Sequence, residues 1–171
     1  MSVLHAGASV LRSSSRAVTV SELPQLGGLI GTMGRVLAET KGQGLSAPQL
    51  GEPLRLFMLA PSKGGGEPLV VINPRIVRRS REQSRGWEAC LSIPDYAAVV
   101  PRAHTVEVDY KTRSWKRVSR VLKGDHARVF QHELDHLDGV LFTERAEMKT
   151  FTHVDHVAEC AEALDLRCDP G

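Results

Sequence analysis

The chain has 171 residues, of which 42% are hydrophobic and 25% charged, which excludes a disordered or fibrous chain and fits a single globular domain over residues 1–171. A net charge of +2 is too small to argue for nucleic acid or an anionic membrane, and no apolar run approaches the ~20 residues that span a bilayer. Three cysteines, Cys90, Cys160 and Cys168, make no disulfide framework, and their odd number raises the question of which one does chemistry.

Residues 1–20 lack the apolar run of a secretory signal, and the Arg/Ser-rich stretch 11–16, faintly similar to a transit peptide but short, reads equally well as a solvated loop. From residue 23 to 40, Leu26, Leu29, Ile30, Met33, Val36 and Leu37 recur at helical spacing and predict an amphipathic helix ending at Lys41-Gly42. A glycine-rich loop follows over 42–49. Residues 55–60 and 69–72 read as buried strands, separated by a Gly-rich turn at 62–66. Asn73-Pro74 closes the second, and 76–79 forms a third. Residues 97–100 are strand-like and stop at Pro101. Residues 105–110 alternate as a half-buried strand should, and a turn at 111–114 leads into 118–121. A helix closes the chain over 154–166, within a partly helical extension, 152–171. Strands and helices are segregated, so the expected class is α+β, with antiparallel sheets wrapped around one central helix.

That helix carries the chemistry. His132-Glu133-Leu134-Asp135-His136 places two imidazoles four residues apart, on one helical face and about one turn from each other, where they can grip one metal ion. Asp125 suits the N-cap and Gly139 the C-terminal stop. Glu133 follows the first His directly, so its carboxylate can reach a metal-bound water without being a ligand. Two surface histidines at chance spacing would not bracket a Glu inside an apolar helix.

A catalytic site of this kind needs a third protein ligand and one open position. Two sources compete: Cys90, and a carboxylate some 20 residues downstream, Asp155 or Glu159, as in zinc peptidases. A thiolate would suit Fe(II), Zn or Co. Cys160 and Cys168 have no motif around them. The loop at 42–49 is no phosphate-binding loop, because no Lys-Ser/Thr follows and it precedes a strand. Its functional candidate is Gln49, whose carboxamide N–H can stabilise a developing oxyanion.

Together these stretches resemble the peptide deformylases. Gly-x-Gly-Leu-Ser/Ala-Ala-x-Gln matches 42–49, Glu-Gly-Cys-Leu-Ser matches 88–92 with Ala89 in place of Gly, and Gln-His-Glu-x-Asp-His-Leu-x-Gly matches 131–139. The three occur in the family's order, and the likeness runs from about residue 4 to 151. Residues 149–155 are similar to the organellar branch. The resemblance implies removal of the formyl group from N-formylmethionyl nascent peptides, with Cys90, His132 and His136 holding one Fe(II), for which Zn, Ni or Co can substitute. Glu133 is then the acid–base residue, and Gln49 and the Leu91 N–H steady the oxyanion. Gly44 and residues 89–91 pair with the extended peptide; Gln43, Leu45, Leu91, Val129 and His132 complete substrate binding, and Arg102 braces the metal helix through Asp135.

The resemblance further implies a nascent chain in a ribosome-associated context as partner, a monomer or homodimer, and the mitochondrion in preference to a bacterial cytoplasm. Ala89 is the one departure. Strain is expected if the position needs φ > 0, and a narrowed peptide groove if its methyl faces substrate. A zinc peptidase and a non-cleaving peptide binder are the rival readings.

Overall fold

The computed structural model describes residues 2–61 and 65–166. Its apolar runs become two antiparallel sheets. The larger has the order β1-β2-β3-β6-β7, built from β1 (Gly44–Ser46), β2 (Leu56–Leu59), β3 (Leu69–Arg79), β6 (Thr105–Lys111) and β7 (Arg117–Lys123). The smaller pairs β4 (Gln83–Cys90), β5 (Ile93–Ala103) and β8 (Thr152–His153) in the order β4-β5-β8.

Two helices pack on opposite faces of the larger sheet. On one side α1 (Gly27–Thr40) brings Ile30, Met33 and Leu37 against Leu45, Leu56, Met58, Val70 and Ile72. On the other, α2 (Gly124–Leu137) brings Ala127, Phe130, Leu134 and Leu137 against Phe57, Val71, Val106, Val108 and Tyr110. Phe57 meets Phe130 edge-on, with ring centroids 5.1 Å apart. Each fully buried side chain of this size contributes about 1.5–3 kcal/mol, so the apolar stripe of α2 anchors it firmly to the sheet. The opposite, polar stripe of α2 turns to the smaller sheet. There Arg128 donates to the Val100 carbonyl at 2.7 Å and Gln131 to the Ala103 carbonyl at 2.9 Å.

Several boundaries depart from the sequence expectations. The stretch from residue 23 begins as a 3-10 helix, Val20–Leu26, and becomes α-helical only at Gly27. Pro24 lacks an N–H and its ring restricts the preceding turn, which defers the α-helix. Lys41, at φ 53°, ends α1. Residues 69–79 form one strand rather than two. Asn73, at φ 50°, makes a bulge whose side chain accepts from the Val18 N–H at 2.9 Å and donates to the Val18 carbonyl at 2.8 Å, tying down the N-terminal segment.

Pro101 does not end β5, which continues to Ala103. Its missing donor costs no ladder bond to β8, which reaches only Tyr96 and Ala97. The stretch 11–16 is not fully solvated: Leu11 and Ser15 are buried, and Ser15 N–H bonds the Leu137 carbonyl at the end of α2. Helix α2 begins at Gly124, so Asp125 lies in its first turn, where a carboxylate complements the helix dipole, rather than at the cap. Gly139 adopts φ 76°, and a Cβ there would lie 2.8 Å from the Arg12 backbone. The expected C-terminal helix is a 3-10 turn, Val154–His156, followed by α3 (Val157–Ala163), none of whose residues is buried. Cys168 and residues 62–64 of the expected turn lie outside the described residues. No described helix is long and apolar enough to cross a membrane.

Candidate active site

β4 ends by delivering Cys90 to the polar stripe of α2. The donor atoms of Cys90, His132 and His136 lie within 4.8 Å of one another, the one cluster of this kind among the described residues. Cys90 Sγ is 3.2 Å from His136 Nε2. Ligand bonds of roughly 2.0 and 2.3 Å in a tetrahedral arrangement put such atoms about 3.5 Å apart, so the pair is spaced as metal ligands are.

His132 Nδ1 is engaged by Glu88 Oε2 at 2.9 Å, which leaves Nε2 for a metal, the usual carboxylate–imidazole support of a ligand. Burial, with the neighbouring His132 and Arg102 charges, pushes His136 down to about 3, keeping it in the neutral form a ligand requires. Burial opposes charge on His132 too. Its contacts with Cys90 and Glu88 and the Glu133 charge outweigh that, and raise it well above 6.5. A divalent cation held by His132 would compete with a proton for its imidazole. The donor set and its spacing fit a catalytic metal.

The downstream carboxylates do not join this group. Asp155 and Glu159 are exposed and face His153 and His156. The third-ligand alternative of the zinc peptidases is therefore not realised here.

Glu133 is buried, and its Oε2 has no hydrogen-bond partner. Burial raises its carboxyl to about 7; His132 opposes the rise and the Glu88 charge adds to it. A base with this affinity can both take and return a proton near neutrality. Gln49 sits opposite. Its Oε1 accepts from the Ser46 N–H and hydroxyl, each at 2.9 Å, so Nε2 is turned toward Cys90 Sγ at 3.6 Å and Ser92 Oγ at 3.2 Å. The N–H end of the amide is therefore held in the site by its own 3-10 turn, Ala47–Leu50.

A cavity of about 490 Å³ opens over these groups. Gln43, Gly44, Ala89, Leu91, Val129 and His132, the candidates for substrate contact, all line it. Leu45, expected among them, instead turns its side chain fully into the core beneath α1, because successive residues of a strand face opposite ways and Gly44 holds the groove side. Ala89 pairs with Ala97, just before a register shift at Cys90, and has no positive φ, so the strain expected of a positive φ does not arise. Its methyl is exposed in the cavity wall.

Arg102 binds Asp135 as expected, and also Glu88 through two bonds of 2.9 Å. Glu88 further accepts from Arg128 at 2.9 Å, and Asp135 from Arg145 at 2.6 and 2.8 Å. Sequence reasoning assigned no role to Glu88 or Arg128. The available signal was two ionisable residues, one beside Cys90 and one on the metal helix, at positions the fold buries.

A buried thiol and two imidazoles around one point, with an unpartnered carboxyl beside them and an oriented amide across a cleft, define a metal-dependent hydrolase site. The profile of the family described as polypeptide deformylase matches residues 1–151. Peptide deformylase 2 of Nostoc sp. is 39% identical over 137 residues, covering 75% of this chain and 76% of that protein. The peptide deformylase of Lachnoclostridium phytofermentans is 37% identical over 155 residues, covering 90% and 94%. Among solved structures, the Met-Ala-Ser-bound class I type b peptide deformylase from Acinetobacter baumannii aligns with TM-score 0.79 at 36% identity, covering 85% of this chain and 97% of that one. Arabidopsis thaliana peptide deformylase 1B, in complex with an inhibitor, aligns with TM-score 0.79 at 34% identity over 96% and 90%. The chain belongs to the peptide deformylase family.

Proposed function

We propose that residues 1–171 form one catalytic domain in which the groups around Cys90 hydrolyse the N-terminal formyl group of formylmethionyl nascent peptides and release formate. The observation that carries this reading is the buried convergence of Cys90, His132 and His136 beside a Glu133 carboxyl with a free oxygen, in one open cavity.

Those three side chains would hold a divalent metal, with Fe(II) as the proposed ion and Zn, Ni or Co as replacements, since a thiolate with two imidazoles suits these borderline cations. Bound there, the metal supplies Lewis acidity and eases deprotonation of water. Glu133 takes the proton from the attacking water, whose oxygen adds to the formyl carbon. Gln49 Nε2–H and the Leu91 N–H donate to the developing oxyanion. Glu133 then passes its proton to the leaving amine as the carbon–nitrogen bond breaks, giving formate and a free N-terminus.

The peptide lies extended between the free edges of β1 at Gly44 and β4 at Ala89, as an added strand. Its methionine side chain enters the cavity between Gln43, Leu91, Val129 and His132. Relatives include bacterial proteins and an Arabidopsis protein named for chloroplast and mitochondrion, and the organellar character of residues 149–155 favours the mitochondrion here.

The test is turnover of a formyl-Met tripeptide by protein purified anaerobically with Fe(II), beside Glu133→Ala and Cys90→Ser. Turnover lost in Glu133→Ala with metal retained, and metal lost in Cys90→Ser, is the expected result. Absence of turnover at one metal per chain would overturn the reading.

A further inference from the structure

The small net charge conceals a sharp segregation. Residues 75–82 and 105–123 contain ten Arg and Lys against three Asp and Glu, whereas the rest of the chain has twelve against seventeen. Strand pairing gathers five of the ten, Arg75, Arg78, Lys111, Arg117 and Lys123, onto one surface. Register places Arg75 beside Asp109 and Ser119, Arg78 beside Glu107 and Val121, Lys111 beside Arg117, and Thr105 beside Lys123. These positions alternate with Val106, Val108 and Tyr110, which face α2, so they occupy the opposite, outer side of the sheet. Arg75, Arg78, Arg117, Ser119, Val121 and Lys123 are all exposed there.

The surface is also organised. Arg75 and Arg117 both donate to Asp109 Oδ2, at 2.6 and 2.7 Å, while their side chains stay 66% and 62% exposed. One carboxylate thus fixes two guanidiniums and leaves most of their N–H donors facing solvent. From Arg117 to Lys123 the cations extend about 20 Å along β7, and the three strands add roughly 10 Å across it.

We propose that this face of β3, β6 and β7 docks the phosphate backbone of RNA. Three of the five cations on this face are arginines, whose planar forks match phosphate oxygens. The apolar surface among them is limited to residues such as Val77 and Val121, on strands with no protruding amphipathic helix, which is too little for insertion into a lipid interface. β7 is the sheet edge opposite β1, and β1 lines the catalytic cavity. A protein docked through β7 therefore keeps its groove open to a peptide emerging beside the RNA. The proposal does not depend on the assigned catalytic roles.

The experiment is fluorescence anisotropy of a labelled RNA duplex titrated with the full chain between about 50 and 200 mM salt, with binding that weakens as log[salt] rises, at a slope of about −3.6 for roughly four phosphate contacts. Arg78→Glu with Lys123→Glu should weaken binding at least tenfold and flatten the slope. Formyl-peptide turnover and melting temperature should stay at wild-type values, which shows that the double variant folds. Arg35→Glu, on exposed α1, should bind as the wild type does. Failure to bind RNA at low salt, unchanged affinity in the double variant, or tighter binding to anionic phospholipid vesicles than to RNA would each overturn the proposal.

Discussion

Gly44→Ala separates the catalytic geometry from the fold. A Cβ on Gly44 would lie 2.4 Å from Glu133 Oε1, 2.7 Å from Cδ and 2.8 Å from Cγ. Unstrained carbon contacts begin near 3.5 Å, so the carboxyl must move by roughly an ångström. The movement breaks little, because Glu133 Oε2 has no partner. Overpacking of this kind costs about 1–3 kcal/mol, and at about 2–4 °C per kcal/mol the melting temperature should fall by roughly 2–12 °C.

Catalysis should suffer far more. An ångström of misplacement can cost on the order of 100-fold, and loss of a general base about 10²–10⁴-fold, so kcat/KM should drop by roughly 10²–10³ with one metal still bound per chain. The methyl also faces the peptide groove, and steady-state kinetics of Gly44→Ala, Glu133→Ala and the double variant separate the two effects. If the methyl acts through Glu133, the double variant is no worse than Glu133→Ala. Turnover within about threefold of wild type, or losses that multiply in the double variant, would refute this account of why position 44 is glycine.

Gln49→Ala should lower kcat by about 10²–10³-fold with metal content unchanged, and Ser46→Ala by less, since Ser46 only orients the amide; single-turnover rates on a formyl-Met peptide check both. Glu88→Gln weakens the support of Arg102, Arg128 and His132 and should cost on the order of 3–5 kcal/mol, read as a fall in melting temperature. Burial alone would raise this carboxyl, but its bonds to Arg102 and His132 hold it well below 4.5. Its stabilisation is therefore complete above pH 4.5 and is lost as pH falls below that value, so Glu88→Gln should show a flatter loss of stability on acidification. Ala89→Gly removes one exposed methyl worth about 0.8 kcal/mol of contact, and should shift KM by no more than about fivefold while leaving kcat and metal binding intact.

The catalytic helix was readable because its geometry is local. A spacing of four residues from one histidine to the next determines a shared face whatever the tertiary fold, and Glu133 follows from the same count. Gln49 was readable as a candidate donor, though not the way Ser46 fixes its amide. Glu88 was harder, because its partners Arg102 and Arg128 lie 14 and 40 residues away, and only the pairing of β4 with β5 and the packing of α2 bring them together. Leu45 was misplaced because a three-residue strand is too short for its alternation to show. Asn73-Pro74 reads as punctuation in any local window, yet Asn73 bonds to Val18, a contact invisible along the chain.

What local reading cannot supply here is the joint between the two sheets, and that joint explains why the site holds its shape. Cys90 comes from a strand of the smaller sheet, while His132 and His136 come from a helix anchored to the larger one. A shear of one body past the other by an ångström would spoil the spacing of these three donors. Glu88 is two residues before Cys90 on β4, and Arg102 stands on β5; both connect to α2, through Arg128 and His132 and through Asp135 respectively. A chain of charged hydrogen bonds, buried except where Arg145 joins it, thus crosses the interface beside these donors, where low dielectric strengthens each bond and makes breaking any one of them costly. An apolar contact would resist separation but tolerate sliding. Directional pairing at four ionised groups resists both, which is the mechanical reason for placing so many charges inside this fold.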